Sequence, residues 1–117
     1  MMRLAVLLSV LALPAVGQEA TTAPGGVLRV LDKITGVVQD IELMNGEAQQ
    51  VGLLTIRLGE CRFPTLNPSG DAYEQITVTY EGLDEPVFEG WIIASAPAIS
   101  ALEHPRYDVW ALRCITS

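Results

Sequence analysis

Few residues in this chain are able to do chemistry, and their spacing limits them further. His104 is the single histidine. With Ser95 or Ser100 and Asp108 it supplies the residue types of a Ser-His-Asp set. Such a set needs a base held within hydrogen-bond reach of the nucleophile. No nucleophile-elbow pattern surrounds either serine; both flank a Pro-Ala turn and read as turn or cap residues. Cys61 and Cys114 lie 53 positions apart (114 − 61), far from the Cys-x-x-Cys spacing of a redox pair. One histidine and two distant cysteines make no thiolate zinc site. Asn67, Asp71 and Glu74 offer oxygens, but at a spacing that matches no standard calcium loop. They read as a polar loop with local side-chain-to-backbone bonds. The expectation is a non-enzyme with no catalytic residue, no metal and no cofactor.

The cysteines take their meaning from the first 17 residues. Met1-Met2-Arg3 is a short positive start, Leu4 to Leu13 an apolar run, and Pro14-Ala15-Val16-Gly17 a breaker with small residues before a cut. This is the layout of a secretory signal peptide cleaved after Gly17, with a cut after Ala20 as the rival. The apolar run is shorter than the ~20 residues a membrane-spanning helix needs. The expected location is the periplasm, where Cys61 and Cys114 would form a disulfide. A loop of that length is worth about 4 kcal/mol in the chain-entropy picture. Loss of Arg3 leaves six basic against 14 acidic residues, a formal charge of 6 − 14 = −8. That balance argues against nucleic acid and against anionic lipid as partners. The chain divides into a signal peptide at 1–17, a flexible leader at 18–26 and a single β domain at 27–117.

The elements that must position these residues are strands. Leu28 to Leu31 reads as a first strand, and Lys33 to Gly36 as the turn after it. Val37 to Leu43 is a second strand, ended by a turn at 44–47 in which Asn45-Gly46 suits a tight hairpin. Val51 to Phe63 is the longest strand candidate. Its parity switches from Leu54, Ile56 and Leu58 to Cys61 and Phe63 across Gly59-Glu60, as a β-bulge would produce. Ile76, Val78 and Tyr80 alternate with Thr77 and Thr79 in a half-buried strand. Val87 to Ala94 is apolar on both parities and reads as a covered central strand. A helical turn fits Pro97 to Leu102. Tyr107 to Ile115 closes the series with Trp110, Leu112 and Cys114 on one face. The predicted fold is all-β: a small antiparallel sandwich or barrel of six or seven strands with one short helical turn, stapled by one disulfide.

Four segments carry a resemblance. They are Leu31-Asp32-Lys33-Ile34-Thr35-Gly36, Gly59 to Pro64, Phe88 to Pro97, and Leu102 to Trp110. From Leu28 to Cys114 the chain resembles domain of unknown function 2155, a bacterial family found mainly in alphaproteobacteria. Ala96 stands where the family pattern has Ser, and Ile93 where it has Met or Phe. The resemblance implies an exported single-domain protein with the same two cysteines, and it supplies no catalytic residues. Members of the family are often encoded beside an accessory subunit of respiratory complex I, so the resemblance implies an envelope-side respiratory accessory role as a candidate.

The expected function is a non-enzymatic interaction or accessory module of the cell envelope, docking on an envelope or inner-membrane complex. The expected partner or ligand surface is Trp91, His104, Pro105, Tyr107 and Asp108. Pro105 stiffens the start of the last strand, and Asp108 is expected to pair with Arg106 or Arg62 or to accept backbone N–H bonds. The alternative is a small-ligand-binding β domain with a pocket near Trp91, His104 and Tyr107.

Overall fold

The structure is a computed structural model that describes residues 19–97 and 102–116. It contains nine strands: β1 (Ala20–Ala23), β2 (Gly25–Asp32), β3 (Val38–Met44), β4 (Ala48–Val51), β5 (Leu54–Pro64), β6 (Tyr73–Tyr80), β7 (Phe88–Ile93), β8 (Leu102–Glu103) and β9 (Tyr107–Ile115). They form two antiparallel sheets. One runs β1-β5-β6-β7, with β4 pairing the opposite end of the same edge of β5. The other runs β3-β2-β9-β8. Residues 1–17, expected to be a signal peptide, lie outside the described residues, as does most of the helical turn expected at 97–102, although Leu102 itself opens β8.

Alternation builds the core. Leu28 and Val30 of β2, Ile41 and Leu43 of β3 and Val109 and Ala111 of β9 face Leu54, Ile56 and Leu58 of β5 and Ile76 and Val78 of β6. All are buried. Apolar burial at ~25 cal/mol per Å² is the main force holding the layers together. The bulge expected at Gly59 is present: the β5–β6 register slips between Leu58 and Glu60, which turns Cys61 inward. The Cys61–Cys114 disulfide then joins β5 of one sheet to β9 of the other, with 5.7 Å between the Cα atoms.

Five expectations are corrected. Residues 18–26 are not a flexible leader throughout: Ala20–Ala23 pairs with Cys61–Pro64, and Gly25 and Gly26 begin β2. Ala-Thr-Thr-Ala has no apolar rhythm, so its strand state comes from its partner and from packing Ala23 beside the disulfide. Val51 to Phe63 is two strands rather than one, broken by a two-residue turn at Gly52-Leu53 with Gly52 at φ 59°. Asn45-Gly46 does turn the chain, with Gly46 at φ 86°, but it closes no hairpin. It carries the chain from β3 in one sheet to β4 in the other. Strand β7 is not central; it is the last strand of its sheet, with Ile92 inward and Trp91 on the outer face. In β9 the inward residues are Tyr107, Val109, Ala111 and Cys114, not Trp110 and Leu112. The β2–β9 register shifts between Val27 and Leu28, so Leu112 is the extra residue of a bulge.

Candidate functional site

The first and last of the four sequence segments meet at one corner of the sandwich. Strands β2 and β9 pair Asp32 with Tyr107. Asp32 accepts the N–H groups of Ile34 and Thr35, which shapes the β2–β3 turn. Its other bonds come from the Arg106 guanidinium, at 3.1 Å from Nη2 to Oδ2. That bond, helped by the two turn amides, holds the Asp32 carboxyl below the usual carboxylate range. Lys33 Nζ donates to the His104 carbonyl at 2.7 Å and pairs with Asp108 at 3.0 Å. Asp108 therefore pairs with Lys33, rather than with Arg106 or Arg62 as the sequence suggested.

His104 is held on both faces of its loop. Its Nδ1 accepts the Arg106 N–H at 3.1 Å, across the exposed Pro105. Its ring stacks on Tyr80, 4.9 Å between centroids. Tyr107 is 1% exposed, and its hydroxyl accepts the Leu53 N–H at 3.1 Å, so it ties β9 to the β4–β5 turn in the opposite sheet. These bonds order a corner; they do not assemble a nucleophile. Ser95 Oγ donates to Asp71 at 2.6 Å, and Ser100 lies outside the described residues.

The second and third segments meet elsewhere. On the outer face of the β1-β5-β6-β7 sheet, the Arg62 guanidinium sits 5.3 Å from the Trp91 ring centroid and pairs with Glu60 at 2.7 Å. Ala20, Tyr73 and Ile93 complete an open cleft of about 280 Å³. Trp91 is 40% exposed. The structure thus separates the expected surface in two. His104, Tyr107 and Asp108 belong to the corner, Trp91 to the sheet face, and Tyr107 lines a different cleft, between Val37 and Gly52.

Glu74 is the functional group that sequence reasoning misplaced. Grouped with Asn67 and Asp71 as a loop residue, it lies in β6 and points inward with Ile76 and Val78. Its shared parity with those residues was the available signal. It is fully buried, and among the described residues neither carboxyl oxygen has a hydrogen-bond partner. Burial pushes its pKa up to about 8; the nearby Leu112 amide works the other way without satisfying either oxygen. Gly26 leaves the space this carboxyl occupies, and a Cβ there would also sit 3.1 Å from Cys61 Sγ. Among the described residues no three His, Cys, Asp or Glu side chains converge as a metal set.

Comparison with known proteins agrees with the segment pattern. The chain is 34% identical over 93 residues to an uncharacterised protein of Rickettsia prowazekii (strain Madrid E), a match covering 76% of this chain. It spans 59% of the length of that relative. No solved structure matches. The sequence model of the family described as "Uncharacterized protein conserved in bacteria (DUF2155)" matches residues 26–114, from the start of β2 to the cysteine in β9, and the chain belongs to that family.

Proposed function

We propose that this chain is an exported, non-enzymatic interaction module of the bacterial cell envelope. The observation that carries the reading is Trp91, a large aromatic held outward by an arginine on a disulfide-stapled sheet. Trp and Arg are the side chains that most often anchor protein interfaces. The corner polar groups, by contrast, are engaged in shaping loops. The signal-peptide layout of residues 1–17 supports the compartment. The resemblance to a family often encoded beside a respiratory accessory subunit makes an inner-membrane respiratory complex the first partner to test. A ligand pocket uniting Trp91, His104 and Tyr107 is the weaker reading, because Trp91 and Tyr107 line different clefts among the described residues.

The test is mild crosslinking in native envelopes followed by affinity recovery of this chain. The expected result is one stable partner whose yield falls at least tenfold for Trp91→Ala, the loss typical of an interface anchor (about 1.4 kcal/mol or more). Elution of the wild-type chain alone as a free monomer would overturn the reading.

A further inference from the structure

The free edge of β3 is built to take an additional strand. The Asp32 N–H donates to the Val37 carbonyl, and the Asn45 N–H to the Pro24 carbonyl, both at 2.9 Å. With the β2–β3 register between them, the odd-numbered residues of β3 aim their backbone groups at β2. Val38, Asp40, Glu42 and Met44 therefore aim theirs away from the sheet. Met44 is closed off, its N–H donating to Glu47 Oε1 and its carbonyl accepting the Glu47 N–H. Three residues remain, Val38, Asp40 and Glu42, with no backbone partner among the described residues. Unpaired strand edges are ordinarily blunted or covered, because they template pairing.

Two further features say what would pair there. Asp40 and Glu42 project from the outer face; Arg29 takes Asp40 at 2.8 Å, while Glu42 has no ion pair among the described residues. On the opposite parity the gap between the sheets is open beside β3. Val30, Val37, Gln39, Val51, Gly52 and Tyr107 line a cleft of about 220 Å³ there, and Val37 is 57% exposed. A second copy of this chain fits poorly. Registers that use Val38 to Glu42 of both copies set Asp40 opposite Asp40 or Glu42, and like charges directly opposite are destabilising.

We propose that β3 binds an extended segment of a partner protein by antiparallel strand addition. The segment alternates basic residues opposite Asp40 and Glu42 with apolar residues turned to the cleft beside Val37. Main-chain bonds to Val38, Asp40 and Glu42 supply affinity, and the alternation supplies specificity. The surface lies on the other sheet from Trp91, and its biological use rests on the interaction-module reading.

The probe is a blocked Lys-Val-Lys-Val-Lys-Val peptide added to the ¹⁵N-labelled chain, read by amide hydrogen exchange. Exchange at Val38, Asp40 and Glu42 is expected to slow by about tenfold or more, as newly bonded amides do. A blocked Glu-Val-Glu-Val-Glu-Val peptide should leave the wild type unchanged and protect the same amides in Asp40→Lys/Glu42→Lys. Glu42→Pro removes an outward donor without touching the β2 ladder and should abolish protection. Unchanged exchange at millimolar peptide, protection confined to other strands, or protection already present in a peptide-free dimer would each overturn the proposal. An envelope partner still recovered in full by Glu42→Pro would overturn this surface while leaving the interaction-module reading intact.

Discussion

At the scale of single residues, Glu74 is furthest from its ordinary state. Its pKa is raised in the folded chain, from 4.5 to about 8, so the folded form binds the extra proton. The resulting penalty is absent below about pH 4.5, grows as pH rises through the window to about 8, and is complete above it. Within that window stability should fall by up to about 1.4 kcal/mol per pH unit. Asp32 has the opposite sign: its lowered pKa contributes stability above the ordinary carboxylate range that is lost as pH falls through it. The chain is therefore expected to be most stable on the mildly acidic side of neutrality. Urea unfolding of wild type and Glu74→Gln at pH 5, 7 and 9 checks this. The variant should lose most of the slope and be the more stable protein at pH 9; parallel curves would sink the assignment. Gly26→Ala tests the same contact from the other side. Overpacking against the Glu74 carboxyl and Cys61 should cost about 1–3 kcal/mol, with much of that recovered in Gly26→Ala/Glu74→Ala. Simple additivity of the two single changes would show that the side chains do not compete for one space.

At the scale of elements, two of the ties between the sheets can each be cut by substitution. The disulfide joins β5 to β9 near Ala23 and Ala72, and the Tyr107 hydroxyl joins β9 to the β4–β5 turn. Cys61→Ala/Cys114→Ala should cost about 2–4 kcal/mol, which for a domain of this size lowers the melting temperature by some 10 °C or more. Tyr107→Phe strips the partner from the Leu53 N–H and should cost about 1–3 kcal/mol, with the β4–β5 turn amides exchanging faster. No change in either quantity would mean that the turn is held by its own geometry at Gly52. The same elements show what was legible beforehand. Period-2 alternation marked β3, β5 and β6, and the parity switch marked the bulge at Gly59, because burial on one face writes itself into sequence; in β9 the unforeseen bulge at Leu112 reversed the expected face. The rank of a strand within its sheet does not. Val87 to Ala94 looked central because Trp91 and Ile93 are apolar, yet their side lies on an outer sheet face. Strand β1 left no pattern, because pairing with β5 decides its conformation. Arg106 and Asp32, 74 positions apart, meet only because the register of β2 on β9 brings them together.

At the scale of the whole molecule, the fold bears on where the chain should begin if it is exported as proposed. The signal-peptide pattern permits a cut after Gly17 or after Ala20. From sequence the choice looked immaterial, since both positions preceded the expected domain. The strands make it matter. The Glu19 carbonyl accepts both the backbone N–H and the hydroxyl of Thr65 at 2.9 Å. Ala20 pairs with Pro64, and Ala23 packs against the disulfide. A cut after Gly17 leaves β1 and both Thr65 bonds intact. A cut after Ala20 removes both Thr65 bonds and the Ala20–Pro64 pair and begins the chain inside the rest of β1, where a charged amino terminus would stand beside β5. Selection for a stable sandwich therefore favours Gln18 as the first residue. N-terminal sequencing of the chain recovered from the periplasmic fraction should read Gln-Glu-Ala-Thr. Intact mass without reductant should lack two hydrogens relative to the reduced chain, through the Cys61–Cys114 bond. A chain starting at Thr21 would show that the Glu19–Ala20 end of β1 is dispensable to the exported fold. A chain retained in the cytoplasm with residues 1–17 attached would remove the compartment on which the interaction-module reading depends.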